Sequence, residues 1–408
     1  MNGVSQYLLS LEAIGERSNR LLDYGLRGET PFFSVNIDAL PAATDYVLEV
    51  CKERYQLAKI PGHSRINHYS QSNDNHWAWF QKPLEGSDGT ERMRLSFELL
   101  ILSVLLDAGA GHHWIYLDHR TNTRFSRSEG LAVAVLNAFV AGVFSQDLSM
   151  KCGVTPESLA CVSLERLREV FQVSSENLLS GLEGRFEVIA CLGEIIANDP
   201  IFHVNGSCRL GHLFDFFLEQ DTHGRGTSAT FIFDTLVRSL TKLWPGRFLL
   251  EGRALGDCWQ HPLLKTSDES SLFIPFHKLT SWLCYTLVDG LEKGGVKVID
   301  QHELKGLAEY RNGGFMIDIG LLSFNHPGDA EKSMDQGHPL VVEWRGLTVA
   351  LLEKLRESLC RRLNLNGNQL LMAHVLEGGT WAAGRKIARQ LRPEGHPPLQ
   401  IVTDGTLF

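Results

Sequence analysis

Residues 92–108 are apolar on nearly every face of a helix, and this segment limits the possible folds more than any other. A helix at a protein surface normally keeps one polar face, whereas a helix that is apolar all round is buried on every side. Leu99, Leu102, Val104 and Leu105 are examples from its different faces. We therefore predict a central helix that is surrounded by other elements.

Helical periodicity continues through most of the chain, and strand-like alternation is scarce. The exception is the polar stretch 62–90, which is rich in Ser, Asn and His and predicts a long loop. The sequence predicts a mainly α fold, a single large helical domain with at most a few short strands. The predicted helices cover residues 1–30, 38–58, 126–139, 155–171, 178–197, 207–219, 229–243, 346–364 and 377–391, and a short strand is predicted near 399–402.

Composition excludes several classes of function. The 408 residues are 43% hydrophobic and 21% charged, as in ordinary globular proteins. The net charge of −9 argues against nucleic-acid or membrane-surface partners, so an anionic substrate needs a local group of basic side chains. The eight cysteines form no C-x-x-C pair. Scattered cysteines indicate free thiols in a reducing compartment. The sequence also shows no signal-like start and no apolar run long enough to span a membrane, so we expect a cytoplasmic protein.

Polar and aromatic residues concentrate between residues 256 and 314. Gly256-Asp257-Cys258-Trp259 opens this stretch, and Pro275 suits the first turn of a helix that extends to about residue 292. Lys278, Trp282 and Tyr285 share one face of that helix. Glu309-Tyr310-Arg311 follows after a short link. A cation, aromatic rings and a carboxylate within reach of one another indicate a small-molecule active site.

Further side chains have both a structural and a functional interpretation. Asp107 ends the apolar helix, where its charge opposes the helix dipole. It therefore needs either a partner, through a hydrogen bond that fixes the following glycine turn, or a role at the site. Glu129 completes a Ser126-x-x-Glu capping box or binds substrate. Cys258 is a nucleophile or a buried thiol. Trp259 and Trp381 line a pocket or lie at a rim.

Signature motifs of several enzyme classes are absent. The sequence has no G-x-G-x-x-G, P-loop, H-E-x-x-H or G-x-S-x-G motif. The adjacent pair His112-His113 is poorly placed to share a metal from one helix face. We therefore predict neither a metal site nor an organic cofactor.

A series of motifs lies in order along the chain. They are L-L-D-A-G-A-G from Leu105, R-S-E-G-L-A from Arg127, G-L-E-G-R from Gly181, G-D-C-W from Gly256, P-F-H-K-L from Pro275, E-Y-R-N-G-G from Glu309 and E-G-G-T-W-A-A-G-R from Glu377. This series resembles the uracil-catabolism protein family of fungi and bacteria, which belongs to a pathway that opens the ring of uridine monophosphate and releases urea. The resemblance covers the chain from about residue 60 to its end, so 61–408 is the expected family core, with 1–60 as N-terminal helices, a catalytic region at 256–320 and a C-terminal motif at 377–408.

A more distant resemblance points to one step of that pathway. A lysine early in an aromatic helix, followed by acid-Tyr-Arg, is similar to the queuosine 5′-phosphate glycosidases, whose helical fold is related to helix-hairpin-helix DNA glycosylases. Their motif begins with Asp, where this chain has the longer Glu309. The resemblance implies cleavage of an N-glycosidic bond, with urea-riboside 5′-phosphate giving urea and ribose 5-phosphate.

The resemblance also implies roles for individual residues. Glu309 is the expected carboxylate near C1, and Asp257, Glu377 or Asp107 is the expected general acid. Lys278, His277, Arg311 and Arg385 are candidates for binding the phosphate. Tyr310, Trp259, Trp381 and Glu129 are further candidates for substrate contact. Two other functions stay open: an amide hydrolase that acts on an earlier ring-opened intermediate, and a non-catalytic nucleotide-binding or scaffold protein.

Overall fold

The computed structural model of the chain describes residues 3–70, 74–111, 113–145, 153–221, 224–244, 248–392 and 395–402. These residues are mainly helical, as the periodicity predicted, and their strands pair only in twos. The relation to helix-hairpin-helix DNA glycosylases stays a prediction. In the described ranges, the helices are too short or too polar to span a bilayer.

The helices and strands follow one another along the chain with short connections. The helices are α1 (Val4–Leu8), α2 (Leu11–Leu26), α3 (Leu40–Arg54), α4 (Arg65–Ser70), α5 (His76–Gln81), α6 (Gly89–Leu105), α7 (Arg127–Val140), α8 (Pro156–Ala160), α9 (Leu164–Val170), α10 (Leu182–Asn198), α11 (His212–Glu219), α12 (Ala229–Leu240), α13 (Lys278–Lys293), α14 (Tyr310–Asp318), α15 (Pro339–Leu363), α16 (Met372–Val375) and α17 (Trp381–Leu391). A π-helical turn, Leu376–Thr380, joins α16 to α17. The strands are β1 (Phe33–Val35), β2 (Ile115–Asp118), β3 (Thr123–Ser126), β4 (His203–Val204), β5 (Ser207–Cys208), β6 (Thr227–Ser228), β7 (Leu249–Leu250), β8 (Arg253–Ala254), β9 (Cys258–Gln260), β10 (Phe273–Pro275), β11 (Val298–Ile299), β12 (Leu322–Phe324), β13 (Ser333–Asp335) and β14 (Gln400–Val402).

Two compact units make up the chain, and each is assembled from separate segments. The first unit contains the described residues within Met1–His63, Gly246–Ser281 and Asp300–Val402, and the second contains those within Ser64–Pro245 and Trp282–Ile299. The single domain over 1–408 and its boundary near residue 60 stay predictions. Of the predicted C-terminal motif 377–408, residues 393–394 and 403–408 lie outside the described residues.

The apolar helix α6 lies in the core of the second unit. Every residue from Leu95 to Leu105 is buried, which confirms the prediction of a central helix. α4, α7 and α11 pack against it. The carboxylate Glu98 is buried in its middle and accepts a hydrogen bond from Arg209 Nε at 2.5 Å. Burying a charge without such a partner is strongly unfavourable, so Arg209 allows this carboxylate inside an otherwise apolar helix.

The long helix α15 organises the first unit. Pro339 begins it, where a missing N–H is not needed, and the side chain of His338 accepts a hydrogen bond from Leu340 N. α2, α3 and α14 pack along its length. Its buried side contains two charged residues, Glu343 and Arg345, among apolar neighbours. α15 thereby brings ionic groups into the core of the first unit.

The predicted loop over 62–90 is wrong, because this stretch contains α4 and α5. Several of its polar residues are buried. His76 is fully buried and its Nε2 lies 3.0 Å from Asp118 Oδ2, while Arg65 is fully buried as well. Polar residues in a sequence usually signal exposure, but here they form buried hydrogen-bonded networks. The polar composition of residues 62–90 therefore did not reveal that this stretch forms helices.

Two local predictions about helix starts are also wrong. Pro275 ends strand β10 and pairs with Cys258 of β9, and α13 begins three residues later at Lys278. His277 between them has a φ of 43°, which is outside the right-handed helical region. At the start of α7, Ser126 is the N-cap but its side chain makes no capping hydrogen bond, because Arg127 has a φ of 56°. The capping box with Glu129 does not form.

Candidate active site

Asp257 is held by a buried ion pair in the first unit. Its Oδ1 and Oδ2 each lie 2.8 Å from a terminal nitrogen of Arg345, and both side chains are about 1% exposed. Trp259 Nε1 and the backbone N–H of Lys278 also donate to the carboxylate, at 2.7 and 3.0 Å. Burial alone raises the pKa of Asp257, but Arg345 outweighs it and holds the pKa well below its usual value. A carboxylate that stays ionised is a poor proton donor, so this geometry favours an anchoring role.

Trp259 belongs to the same anchor. Its indole N–H is bonded to Asp257 and its side chain is 5% exposed. A Cβ at Gly337 would lie 2.7 Å from the indole ring, so the glycine permits close packing there. The ring supports the ion pair and does not line an open pocket wall.

His277, which precedes α13, and Lys278, which begins it, have different surroundings. His277 is buried, its Nε2 lies 2.9 Å from Leu8 O, and burial lowers its pKa. A neutral imidazole bound to the backbone is not the cation that a phosphate needs. Lys278 is half-buried and its charge acts on Glu309. Of this pair, Lys278 is the candidate for binding an anion.

Glu309 is the N-cap of α14. Its Oε2 accepts from the backbone N–H of Arg311 at 2.8 Å, and Oε1 accepts from that of Asn312 at 2.6 Å. The residue is 8% exposed. Burial raises the pKa of the Glu309 carboxyl, against the opposing effects of the two N–H groups, Lys278 and Arg311. The structure thus fixes a carboxylate at a helix N-terminus, the end that favours negative charge.

Two arginines of the first unit are stacked on aromatic rings. The guanidinium of Arg311 lies 5.0 Å from the ring centre of Tyr310 and donates to Gly395 O at 2.9 Å. The guanidinium of Arg385 lies 4.7 Å from the ring centre of Trp381. Arg311 is buried, whereas Tyr310, Trp381 and Arg385 are half-buried. Arg385 is therefore the more accessible cation, and Arg311 serves mainly as a scaffold.

Glycines in the recognised motifs allow helices to approach one another. A Cβ at Gly313 would lie 2.5 Å from the ring of Trp344 on α15, and one at Gly384 would lie 2.3 Å from Arg311 O. Gly379 in the π-helical turn is equally close to Val47 of α3. Any side chain at these positions would push the helices apart. Their close packing places α14, α15 and α17 around Glu309.

Glu377 lies in the π-helical turn and is the centre of a second polar cluster of the first unit. His63 Nδ1 lies 3.0 Å from its Oε2, and Tyr55 donates to its Oε1 at 3.1 Å. Arg54 donates to the Glu377 backbone oxygen at 2.5 Å. Burial, with Glu377 beside it, raises the pKa of Tyr55 to about 12. π-Helical turns are rare in proteins, but those that occur are often found at functional sites.

Asp107 and Glu129 belong to the second unit. Asp107 Oδ2 lies 2.6 Å from Arg65 Nη2 and accepts a hydrogen bond from Ser128. The glycine turn after Asp107 is held by Arg185, whose Nη2 donates to Gly109 O at 3.1 Å. Asp107 thus has a partner, but this partner is Arg65, and the hydrogen bond to the glycine turn comes from Arg185. Glu129 is half-buried in the first turn of α7 and stays a candidate only.

Other predicted roles find different environments. Cys258 is fully buried and burial raises the pKa of its thiol, so it fits the buried-thiol interpretation. Within the described ranges, no three His, Cys, Asp or Glu side chains are grouped to hold a metal ion. His112 of the pair His112-His113 lies outside the described residues.

Sequence reasoning missed Arg345, His63, Tyr55 and Arg65. Arg345 and Glu343 interrupt the apolar run V-V-E-W-R-G-L, and charges in a buried helix need partners, which is a detectable signal. His63 and Arg65 were hidden in the stretch interpreted as a loop. Tyr55 follows α3 and carries no local signal.

Together these contacts define a mainly helical protein whose first unit fixes a buried carboxylate near a lysine and a ring-stacked arginine. A family model described as "Protein of unknown function (DUF1688)" matches residues 7–408, and the chain belongs to this family. It is 33% identical over 436 residues to Uracil catabolism protein 4 of Lachancea kluyveri, and 34% identical over 410 residues to Protein urg3 of Schizosaccharomyces pombe. Each alignment covers 98% of this chain and 98% of the relative. The resemblance to the uracil-catabolism family is confirmed.

Proposed function

We propose that this protein acts in uracil catabolism and hydrolyses the N-glycosidic bond of a ring-opened pyrimidine ribotide. The substrate is urea-riboside 5′-phosphate. Water adds to C1 of the ribose, the C1–N bond breaks, and urea takes up the proton that the water loses. The products are urea and ribose 5-phosphate. The relative named for uracil catabolism supports the pathway, and the surroundings of Glu309 support the reaction.

The surroundings of Glu309 are the observation that carries this proposal. Loss of an N-glycosidic leaving group leaves positive charge at C1 and the ring oxygen. A fixed carboxylate stabilises that charge most when it is shielded from water, because interactions are stronger at low dielectric. Glu309 is 8% exposed and is held by two backbone N–H groups. It is already oriented before substrate binds.

Two half-buried cations of the first unit suit the 5′-phosphate. Lys278 and Arg385 are half-buried, so each combines reduced hydration with access to a ligand. Tyr310 and Trp381 are half-buried and provide flat apolar surface next to the arginines. Cations of this kind bind phosphate by charge-assisted hydrogen bonds. Asp257 contributes indirectly, because it binds the N–H of Lys278 and so fixes the start of α13.

The competing amide hydrolase would have to attack a carbonyl carbon. Cys258 is the thiol of the recognised motif region, and its complete burial and raised pKa make it a poor nucleophile. A sugar-bond hydrolase needs no such nucleophile when water attacks C1. The site chemistry therefore favours the glycosidase over a thiol-dependent amide hydrolase.

The decisive experiment incubates purified protein with urea-riboside 5′-phosphate and follows urea and free reducing sugar. Glu309→Gln keeps the size of the side chain but removes its charge, and we expect kcat to fall by about 10²–10³-fold. The matched control is Glu303→Gln, since Glu303 is an exposed glutamate of the same unit whose side chain is 52% exposed. Circular dichroism checks that both variants are folded.

Three outcomes separate the candidate functions. Equal amounts of urea and ribose 5-phosphate, lost in Glu309→Gln and kept in Glu303→Gln, support the glycosidase. Release of ammonia with the sugar still attached favours the amide hydrolase. Binding of the ribotide without turnover, measured by calorimetry, favours a non-catalytic binding protein.

A further inference from the structure

We infer that His63 is the general acid that protonates the leaving nitrogen, and that Glu377 is the positioning residue that orients it. This inference rests on the proposed glycosidase reaction. Urea leaves poorly as an anion, so bond cleavage needs a proton on the departing nitrogen. His63 gives up a proton to that nitrogen as the C1–N bond breaks, and regains one from the water that attacks C1. The proton count therefore balances over one turnover.

The hydrogen bonds of Glu377 favour His63 as the proton carrier. One carboxylate oxygen of Glu377 lies 3.0 Å from His63 Nδ1, and the other accepts from Tyr55. A carboxylate on Nδ1 fixes the proton on that nitrogen, so Nε2 is the atom that exchanges a proton with substrate. Tyr55 and Arg54 also contact Glu377, and the Cys51 thiol lies near Tyr55 and the π-helical turn. Because Tyr55 donates to Oε1 of Glu377, Oε2 is the oxygen that orients the imidazole.

Exposure distinguishes this pair from other His–carboxylate pairs of the chain. His76 with Asp118, and His261 with Glu343, have side chains that are 0% exposed. Such complete burial suits a structural role. The side chain of His63 is 10% exposed and that of Glu377 is 5% exposed. The His63 pair thus combines a largely shielded environment with remaining access.

Helix packing places the Glu377 turn at the same end of the first unit as Glu309. α14 packs against α17 and against the π-helical turn, and Arg311 O lies where a side chain of Gly384 would be. Arg392, directly after α17, pairs with Asp318 at the end of α14, so the two helices run in the same direction and the Glu309 end of α14 points toward the π-helical turn. Glu309 is two residues before Arg311 and Glu377 is seven before Gly384, so the two acids lie roughly 7.5 Å apart along the paired helices, at about 1.5 Å per residue. Such a spacing suits groups on either side of C1 and its leaving nitrogen, since inverting glycosidases hold their two carboxyl groups about 6.5–9.5 Å apart.

The experiment compares two leaving groups. Urea-riboside 5′-phosphate needs a proton on its leaving nitrogen, whereas 4-nitrophenyl riboside 5-phosphate releases a stable phenolate without one. We expect His63→Ala to lower kcat/KM for the urea substrate by about 10²–10⁴-fold. With the nitrophenyl substrate, the same variant should stay within about fivefold of wild type. His63→Gln, which keeps more of the side-chain volume, serves as a second variant if His63→Ala does not fold.

Two further variants test the positioning role and the specificity of the effect. Glu377→Gln should lower kcat/KM for the urea substrate and leave the nitrophenyl substrate within about fivefold of wild type, because a misplaced imidazole no longer delivers the proton. A merely structural role of Glu377 would lower both. His302→Ala is the matched control, since His302 pairs with Glu303 at 3.2 Å but its side chain is 42% exposed. It should leave kcat/KM for both substrates unchanged.

The possible failures are distinguishable. If His63 variants lose both substrates equally, or lose neither, the inference is wrong while the glycosidase stands. If Glu377→Gln affects both substrates equally, or neither, Glu377 is not the positioning residue. If the wild type cleaves neither substrate, the proposed function is wrong and the inference falls with it.

Discussion

Arg345 binds both carboxylate oxygens of Asp257, at 2.8 Å each, and the pair is shielded from water. The two residues are 88 positions apart, so the contact ties α15 to the segment between Gly256 and α13. Asp257 in turn accepts from the N–H of Lys278, the first residue of α13. The position of a proposed phosphate ligand therefore depends on an ion pair in the core.

Asp257→Asn should strongly destabilise the fold. The substitution leaves the buried guanidinium of Arg345 without its counter-charge, and loss of one partner of a buried pair costs about 3–5 kcal/mol. Urea unfolding measures the change in the free energy of unfolding. Asp45→Asn is the control, because Asp45 and Arg362 form an ion pair whose side chains are 51% and 55% exposed, and such pairs contribute about 0–1 kcal/mol. Equal effects of the two variants would contradict a stabilising role for the buried pair.

The same pair predicts how the difference between wild type and Asp257→Asn varies with pH. The pKa of Asp257 is lower in the folded protein than its usual value, so its stabilising contribution is present above the unfolded pKa of about 3.9. That contribution is lost as the pH falls through the folded pKa. The stability difference should stay constant from about pH 7 to pH 5 and shrink below about pH 4. Stability curves by chemical unfolding at several pH values test this, and a difference that grows on acidification would contradict it.

Activity should depend on the ionisation of Glu309. Burial raises its pKa, and the carboxylate has to be ionised to stabilise positive charge at C1, so kcat/KM should fall on acidification at a pH above about 4.3. Lys278 lowers this pKa by its charge. Lys278→Met should therefore shift the acidic limb of the kcat/KM profile to higher pH. The control Lys332→Met changes a side chain that is 63% exposed and should not shift the acidic limb. A shift of the limb to lower pH in Lys278→Met would contradict the role of Glu309 as the ionising group.

Gly313→Ala should destabilise the packing of α14 on α15. The added Cβ would lie 2.5 and 2.6 Å from two carbons of the Trp344 ring, closer than atoms in folded proteins approach. Overpacking of this kind costs about 1–3 kcal/mol. Thermal or urea unfolding measures it against Gly328→Ala, where nothing lies within 4 Å of the new Cβ. A Gly313→Ala variant as stable as Gly328→Ala would show that the helices move apart freely.

Thiol reagents should distinguish the cysteines. Cys161 is exposed, whereas Cys258 is fully buried and burial raises its pKa. Since the thiolate is the reactive form, we expect Cys161 to be alkylated rapidly in the native protein and Cys258 only after unfolding. Mass spectrometry of peptides from native and urea-unfolded samples follows both sites. Rapid native alkylation of Cys258 would reopen its interpretation as a nucleophile.

The sequence by itself determined the mainly helical fold, because helical periodicity needs only the local order of apolar residues. It identified α6 as a buried helix for the same reason. The motifs also indicated Glu309, Lys278 and Arg385 as candidates, since side chains close together in sequence or in one motif carry a local signal. The family membership followed from those motifs.

Only the tertiary structure decided which charged groups meet. Arg345 and Asp257, and His63 and Glu377, are 88 and 314 positions apart, and no periodicity relates them. The structure also showed that residues 62–90 contain helices, in which buried polar side chains such as Arg65 and His76 pair with distant carboxylates and not with water. The pKa of a carboxylate depends on burial and on such partners. Asp257 and Glu309 therefore look alike in the sequence, whereas in the folded protein the pKa of Asp257 is lowered and that of Glu309 is raised.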